Sequence, residues 1–497
     1  MRAGRGTLGV AAGLVLVALA TVGYALPPAF DPPPLKGDEA FRSIVPQPAH
    51  EVRPVVASGP VRTAEVSIPA QRQWLHGTVR LPMTQGDRPG MVFVSGSGNG
   101  SRDEFTPQAE FLARAGVATV AFDKRTDGYS FRERDFALLA DDALRWVRWL
   151  RTQPGVDAAR VGLWGVSEGG WVVPIAAAES GDVGFVVLVS SPNVSPLRQV
   201  AWALNEQLLR LHAPVGARDL LTRAMGGVGF NFLRHDAMPA LRGMRQPVLA
   251  LYGTTDPSIP FVESTRALTT AMRESGNERY TIRFMDKGDH ALRVGGGPFT
   301  RGYQETLANW IKGLPGTGRP AVHMAGATPV QRFEASDVPV APWYAGGTML
   351  GLTICLAVVG YVAGPVASIL IRLRGRNRVL VRADAVLWPP IRSRLYRMVW
   401  TGLALLVSVV GFIGLLVSFS INQAGAWPAV LAGWLTVRAL AVLMLLQEVT
   451  AVAAVVAAVR EGFQPSRWQH VAMAGVVGGS GLLMVAAAYY GLFSFPW

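Results

Sequence analysis

The 497-residue sequence holds a single cysteine, Cys355, inside an apolar run. This excludes an intramolecular disulfide and any cysteine metal cluster, and Cys355 reads as a buried residue of a membrane helix. Charge is also scarce. Charged residues make up 16% of the chain, hydrophobic residues 50%, and mean hydropathy is +0.27. A chain so poor in charge is expected to contain membrane spans. The net charge of +13 is uneven: residues 27–343 are close to balance, with 34 basic and 31 acidic residues. The basic excess sits beside apolar runs, which is a signature of membrane orientation and not of a nucleic-acid-binding stripe. A phosphate loop is missing too, because Gly96-Ser97-Gly98-Asn99-Gly100 lacks the Gly-Lys-Ser/Thr ending.

What is present is a set of long apolar runs. Arg2 and Arg5 precede the stretch Leu8–Leu26, so residues 1–26 read as a signal anchor or a signal peptide, with Gly23-Tyr24-Ala25 as a cleavage candidate. Residues 27–59 form a proline-rich linker. Residues 314–342, rich in Pro, Gly and Ala, form a second. Residues 343–497 hold four runs: Tyr344–Ile371, Val399–Ile421, about Pro428–Val459, and Val471–Phe493. Each matches the roughly 20 residues that a hydrocarbon core requires. The loop at 372–398 carries Arg372, Arg374, Arg376, Arg378, Arg382, Arg392, Arg394 and Arg397, and Arg460 and Arg467 flank another loop. By the positive-inside rule these loops are cytoplasmic and residues 27–343 are extracytoplasmic. Arg438 and Glu448 fall inside a span, where ionisable groups are costly and often functional. The glycine-rich "GVVGGSGLL" suits close helix packing, so the helices are expected to anchor the chain in a lipid bilayer and to offer a surface for homo-oligomers.

Residues 60–313 alternate short β-branched runs with amphipathic segments. "VRTAEVSIP" and "LHGTVRLP" read as an antiparallel hairpin. "MVFVSG", "VATVAFD", "RVGLWGV", "GFVVLVSS", "PVLALYG" and "YTIRFMD" read as strands of a mainly parallel sheet. In "FALLADDALRWVRWLRTQ", Phe136, Leu139, Ala143, Val147 and Leu150 recur at helical spacing. Residues 193–245 are too long for a simple crossover and read as a helical cap insert.

"GLWGVSEGGW" places Ser167 in a G-x-S-x-G motif between a strand and a helix, the setting of a nucleophile elbow. Such a serine needs a base and a group to orient that base. "PVLALYGTTDPSIP" delivers Asp256 after a strand, and "YTIRFMDKGDHAL" delivers His290 after the next. Both fall at carboxyl ends of strands, where open α/β sheets place ligands. Asp289 is a rival for the carboxylate and Asp286 a weaker one. His50, His76, His212, His235, His323 and His470 lie in linkers, hairpin, cap or membrane edge and lack this setting. The oxyanion hole calls for two backbone N–H donors. Glu168, after the nucleophile, supplies one; Ser97 is the choice for the other, with Gly98 second. The Glu168 side chain reads as an exposed acid complementing the helix dipole.

The ordered set "LHGTVRLP", "VSGSGNGSRDEF", "AFDKRTDGYS", "GVSEGGW", "LYGTTDPSIP" and "GDHAL" resembles the α/β-hydrolases, in particular the dienelactone-hydrolase and prolyl-oligopeptidase-like branch. The resemblance covers about residues 60–313. It departs from the family at Ser95-Gly96, where His-Gly is common, and at Arg125-Thr126-Asp127-Gly128, where Arg-Gly-x-Gly is common. It implies an α/β-hydrolase fold with a helical cap, joined to an all-α transmembrane bundle. It also implies that Asp123, Lys124 and Arg125 help frame the site, although the same three residues also read as a structural ion network. The expected activity is that of a serine hydrolase acting on esters, thioesters or amides of a small-molecule or peptide acyl substrate, with no metal or cofactor. An acyltransferase with the same triad, or a non-catalytic receptor or assembly protein on the same fold, are the alternatives.

Overall fold

In the computed structural model the described residues are 5–35, 52–227, 229–374, 389–422 and 427–495. The chain divides into two compact units. One comprises Pro32–Ala203 and Phe230–Asp337; the other comprises Met1–Asp31, Leu204–Gly229 and Val338–Trp497.

The first unit is built on strands β1 (Val61–Ala70), β2 (Gln73–Pro82), β3 (Arg88–Val94), β4 (Ala118–Phe122), β5 (Val156–Val166), β6 (Val186–Val189), β7 (Val248–Gly253), β8 (Tyr280–Met285) and β9 (Met324–Gly326). They form one sheet in the order β1-β2-β4-β3-β5-β6-β7-β8-β9. The expected hairpin is β1–β2, and β2 joins β4 antiparallel. From β4 through β3 to β9 every pairing is parallel. Every residue of β6 and β7 is buried, as continuous apolar runs in a parallel sheet covered on both faces require.

Successive strand residues serve opposite faces. Val92, Leu163, Leu188, Ala250 and Ile282 pack in a cluster with the helices Phe136–Arg151, Gly169–Glu179 and Phe261–Glu274. Phe93, Trp164, Val187 and Leu251 pack on the other face with Thr106–Arg114 and Tyr303–Lys312. In Phe136–Arg151 the periodic residues Phe136, Leu139, Ala143, Val147 and Leu150 are all buried. Asp135 caps this helix by accepting a hydrogen bond from the Leu138 N–H at 3.0 Å.

Both linkers are more structured than their composition suggests. Met324–Gly326, within the expected linker 314–342, is the ninth strand and pairs with β8. Arg198 Nε donates to the Ala335 carbonyl at 2.6 Å, and Trp202 Nε1 to that of Phe333 at 3.1 Å. In the first linker, Leu35 N–H donates to the Arg332 carbonyl at 3.0 Å and Gly59 N–H to that of Arg114 at 3.0 Å. Hydrogen bonds to backbone carbonyls hold these segments, and such bonds leave no hydrophobic period to read. Residues 36–51 lie outside the described residues.

The second unit contains the helices Arg5–Ala25, Gly347–Arg374, Pro389–Asn422, Trp427–Arg460 and Arg467–Tyr489. Among the described residues four helices are long and apolar enough to cross a membrane: Gly6–Ala25, Ile391–Phe419, Trp427–Arg460 and Arg467–Tyr489. The glycine-rich helix crosses Gly347–Arg374 closely. A Cβ on Gly475 would lie 2.7 Å from the Gly360 carbonyl oxygen, and one on Gly479 would lie 2.9 Å from that of Ala357. Cys355 is exposed, contrary to the expectation of burial. A helix apolar all round does not tell from sequence which face turns inward. Arg438 donates to the Ser494 carbonyl at 2.9 Å and lies against the Trp434 and Phe495 rings. Much of the arginine-rich loop, 375–388, lies outside the described residues.

The expected cap, 193–245, is divided. Its portion Leu204–Gly229 belongs to the second unit. Leu208, Ala217, Leu220 and Leu221 share a core cluster with Val430, Trp434 and Met484. A Cβ on Gly216 would lie 2.5 Å from the Trp434 ring, so glycine permits that approach. Arg223 Nη1 donates to the Tyr489 carbonyl at 2.8 Å. The length of this insert marks it as more than a crossover, but the sequence does not show the surface it meets. Residues 230–245 return to the sheet unit, with Leu241 and Met244 fully buried.

Candidate active site

β5 ends at Val166 and the next helix begins at Gly169, so Ser167 sits on the turn between them. Its φ is 53°, in the left-handed region. For a residue with a Cβ this conformation stores about 1–3 kcal/mol of strain, and surrounding contacts must enforce it. The Ser167 N–H donates to the Val189 carbonyl at 3.0 Å, and its carbonyl accepts from Gly170 N–H at 2.8 Å. The flanking glycines make the turn fit: a Cβ on Gly165 would lie 2.5 Å from the Gly169 oxygen, and one on Gly170 would lie 2.1 Å from Ser191 Oγ.

Asp256 follows β7 and is buried. Its Oδ1 accepts from the Ser258 N–H at 2.7 Å, and its Oδ2 lies 2.8 Å from His290 Nδ1. Hydrogen-bonded on Nδ1, the neutral imidazole presents Nε2 as its basic nitrogen. Burial alone would lower the pKa of His290. The Asp256 charge and hydrogen bond, with a smaller contribution from Asp289, outweigh it and raise the pKa above the ordinary histidine value. Ser167 Oγ makes no side-chain hydrogen bond among the described residues; such contacts often tighten only around bound substrate. Asp289 is engaged elsewhere, accepting from the N–H groups of Ala291, Arg293 and Gly296. Asp286 is exposed.

The loop after β3 packs on this turn, since a Cβ on Gly96 would lie 3.3 Å from Ser167 Cβ. Gly98 N–H donates to the Tyr129 hydroxyl at 3.1 Å and is thereby occupied. The N–H groups of Ser97 and Glu168 have no protein acceptor among the described residues.

The Glu168 side chain corrects the sequence reading. It is buried, not an exposed acid at a helix start. Its Oε1 accepts from Lys124 Nζ at 2.8 Å and from the Tyr129 hydroxyl at 2.8 Å, and Oε2 accepts from Arg134. Lys124 also donates to the Gly96 carbonyl and stacks over the Tyr129 ring. Desolvation lowers the Lys124 pKa against the opposing pull of Glu168. Burial, with the Glu168 charge, pushes the Tyr129 hydroxyl up to about 12. Tyr129 and Arg134 escaped the sequence reading; the only signal was their position just after "AFDKRTDG". Asp123 and Arg125 are ion-paired to Arg102 and Asp142, as a structural network would have them.

This strand order, elbow and strand-end carboxylate–histidine pair define an α/β-hydrolase. Residues 104–315, a little under half of the chain, match the Prolyl oligopeptidase family profile. It is 38% identical over 82 residues to the "Uncharacterized 31.7 kDa protein in traX-finO intergenic region" of Escherichia coli, covering 16% of this chain and 29% of the relative. It is 32% identical over 96 residues to the Thiohydrolase aneE of Aspergillus aculeatus, covering 18% and 30%. The chain thus spans under a third of the length of these curated relatives. Among solved structures it is similar to the dienelactone hydrolase of Anabaena variabilis, with 20% identity, 51% and 95% coverage and a TM-score of 0.34. It is also similar to the acylaminoacyl peptidase of Pyrococcus horikoshii, with 17% identity, 51% and 41% coverage and a TM-score of 0.38.

Proposed function

We propose that the chain is a membrane-anchored serine hydrolase that cleaves ester, thioester or amide bonds through an acyl-Ser167 intermediate. The observation that carries the reading is the 2.8 Å contact between His290 Nδ1 and the buried Asp256, at the ends of β8 and β7 in the same sheet whose β5 leads into a serine held at positive φ. Ser167 Oγ attacks the carbonyl carbon while His290 Nε2 takes its proton. The carbonyl oxygen becomes an oxyanion facing the N–H groups of Ser97 and Glu168. Collapse breaks the bond to the leaving group, which departs with the proton from His290. Water then attacks the acyl-serine and gives a proton to His290. Collapse of the second tetrahedral adduct breaks the carbon–Oγ bond, releases the acid and returns the proton to Ser167. Asp256 stays ionised throughout, fixing the tautomer and stabilising the imidazolium.

The active-site unit is extracytoplasmic in this reading, supported by the arginines at 372–397, Arg460 and Arg467 and by Arg2 and Arg5. A fluorophosphonate probe applied to the full chain in detergent tests the chemistry. Labelling of the wild type that disappears in Ser167→Ala is expected, and undiminished labelling of the variant would sink the assignment.

A further inference from the structure

Glu168 stands in two places at once. Its N–H lies next to Ser167, without a protein acceptor among the described residues, and its carboxylate is the centre of a buried polar cluster. The same cluster reaches the loop after β3 on either side of Ser97. Lys124 Nζ holds the carbonyl of Gly96, and the Tyr129 hydroxyl accepts the N–H of Gly98 at 3.1 Å. Both Lys124 and Tyr129 then bond the same Glu168 oxygen at 2.8 Å. Two segments of chain some seventy residues apart are thus tied through one carboxylate oxygen.

We propose that Glu168, Lys124 and Tyr129 form a positioning assembly that sets the oxyanion hole, holding the Ser97 and Glu168 N–H donors at a fixed separation. This rests on the acyl-serine reading above. Charge adds to geometry. Lys124 and Arg134 against one carboxylate leave one net positive charge beside the oxygen that turns negative in the transition state. In a buried network such a charge acts through a low effective dielectric. The assembly touches no reacting atom through its side chains, so it alters the chemical step and not the capture of substrate.

The test uses the full-length protein in detergent, with active sites counted by fluorophosphonate and turnover followed on p-nitrophenyl butyrate. Removing one oxyanion donor lowers kcat by roughly 10²–10³-fold in serine hydrolases, so donors displaced but present should lose less. Tyr129→Phe keeps the ring and removes only the hydroxyl; kcat per labelled site should fall about 5–10-fold. Glu168→Gln and Lys124→Met should fall roughly 30–100-fold, all with KM within about twofold of wild type. If Glu168→Gln does not fold, Tyr129→Phe with an unchanged thermal midpoint carries the test. Variants that lose thermal stability while kcat per labelled site stays at wild type would show a merely structural cluster and overturn the proposal. So would a rise in KM at constant kcat. A wild type that takes no label overturns the acyl-serine reading itself; a labelled wild type with unaltered variants overturns only this inference.

Discussion

His290 Nδ1 and Asp256 Oδ2 lie 2.8 Å apart, although 34 residues separate them in sequence, because β7 and β8 are adjacent and parallel and each releases its residue at the same edge. The Asp256 carboxylate has its other oxygen tied to the Ser258 N–H, so it is fixed before the imidazole arrives. Replacing Asp256 with Asn keeps the shape but favours the wrong tautomer of His290. Hydrolysis of p-nitrophenyl butyrate should fall roughly 10³–10⁴-fold in kcat, with little change in KM.

The raised pKa of His290 fixes a sign for the pH dependence. The base must be neutral to accept the serine proton, so kcat/KM falls as pH drops through the pKa of the folded enzyme. That acid limb should lie above about 6.5, the ordinary histidine value. Removing the Asp256 charge removes the main cause that raises it, so the limb should move to lower pH in Asp256→Asn. Stability runs the other way: the histidine contribution is complete below its unfolded pKa and is lost as pH rises through the folded one. Rate profiles and thermal midpoints across the same pH series check both signs.

The charge pattern predicts topology. Protease added to intact spheroplasts should remove the active-site unit, with the arginine-bearing loops protected until lysis. Complete protection of residues 52–337 before lysis would reverse the orientation.

Close helix packing can be probed at Gly475. Its missing Cβ leaves room for the Gly360 carbonyl. Gly475→Val should push the two helices apart at a cost of about 1–3 kcal/mol. A lower thermal midpoint of the detergent-solubilised chain, with fluorophosphonate labelling retained below that midpoint, is the expected result.

The parallel strands were legible because a strand buried on both faces reads as an apolar run, and Ser167, Asp256 and His290 follow such runs. The hairpin and the helix after Asp135 were legible from their spacing. β9 was not, since three residues show no period and their pairing with β8 is made by the backbone. The burial of Glu168 was not legible either. Its partners Lys124, Tyr129 and Arg134 are 34–44 residues away, and only the fold brings them to one carboxylate. Ser97 and Glu168 could be nominated as N–H donors from the motif, but what braces them could not.

The placement of Leu204–Gly229 bears on how this protein can be handled. A version trimmed to residues 52–337 would keep Leu208, Leu220 and Leu221 while discarding Val430 and Trp434, which share a core cluster with them. Its stickiness in water would then reflect a bared helical insert and not a weak sheet. Poor behaviour of such a fragment says nothing about the catalyst, and detergent or nanodisc preparations of the whole chain are the fair material for substrate screening.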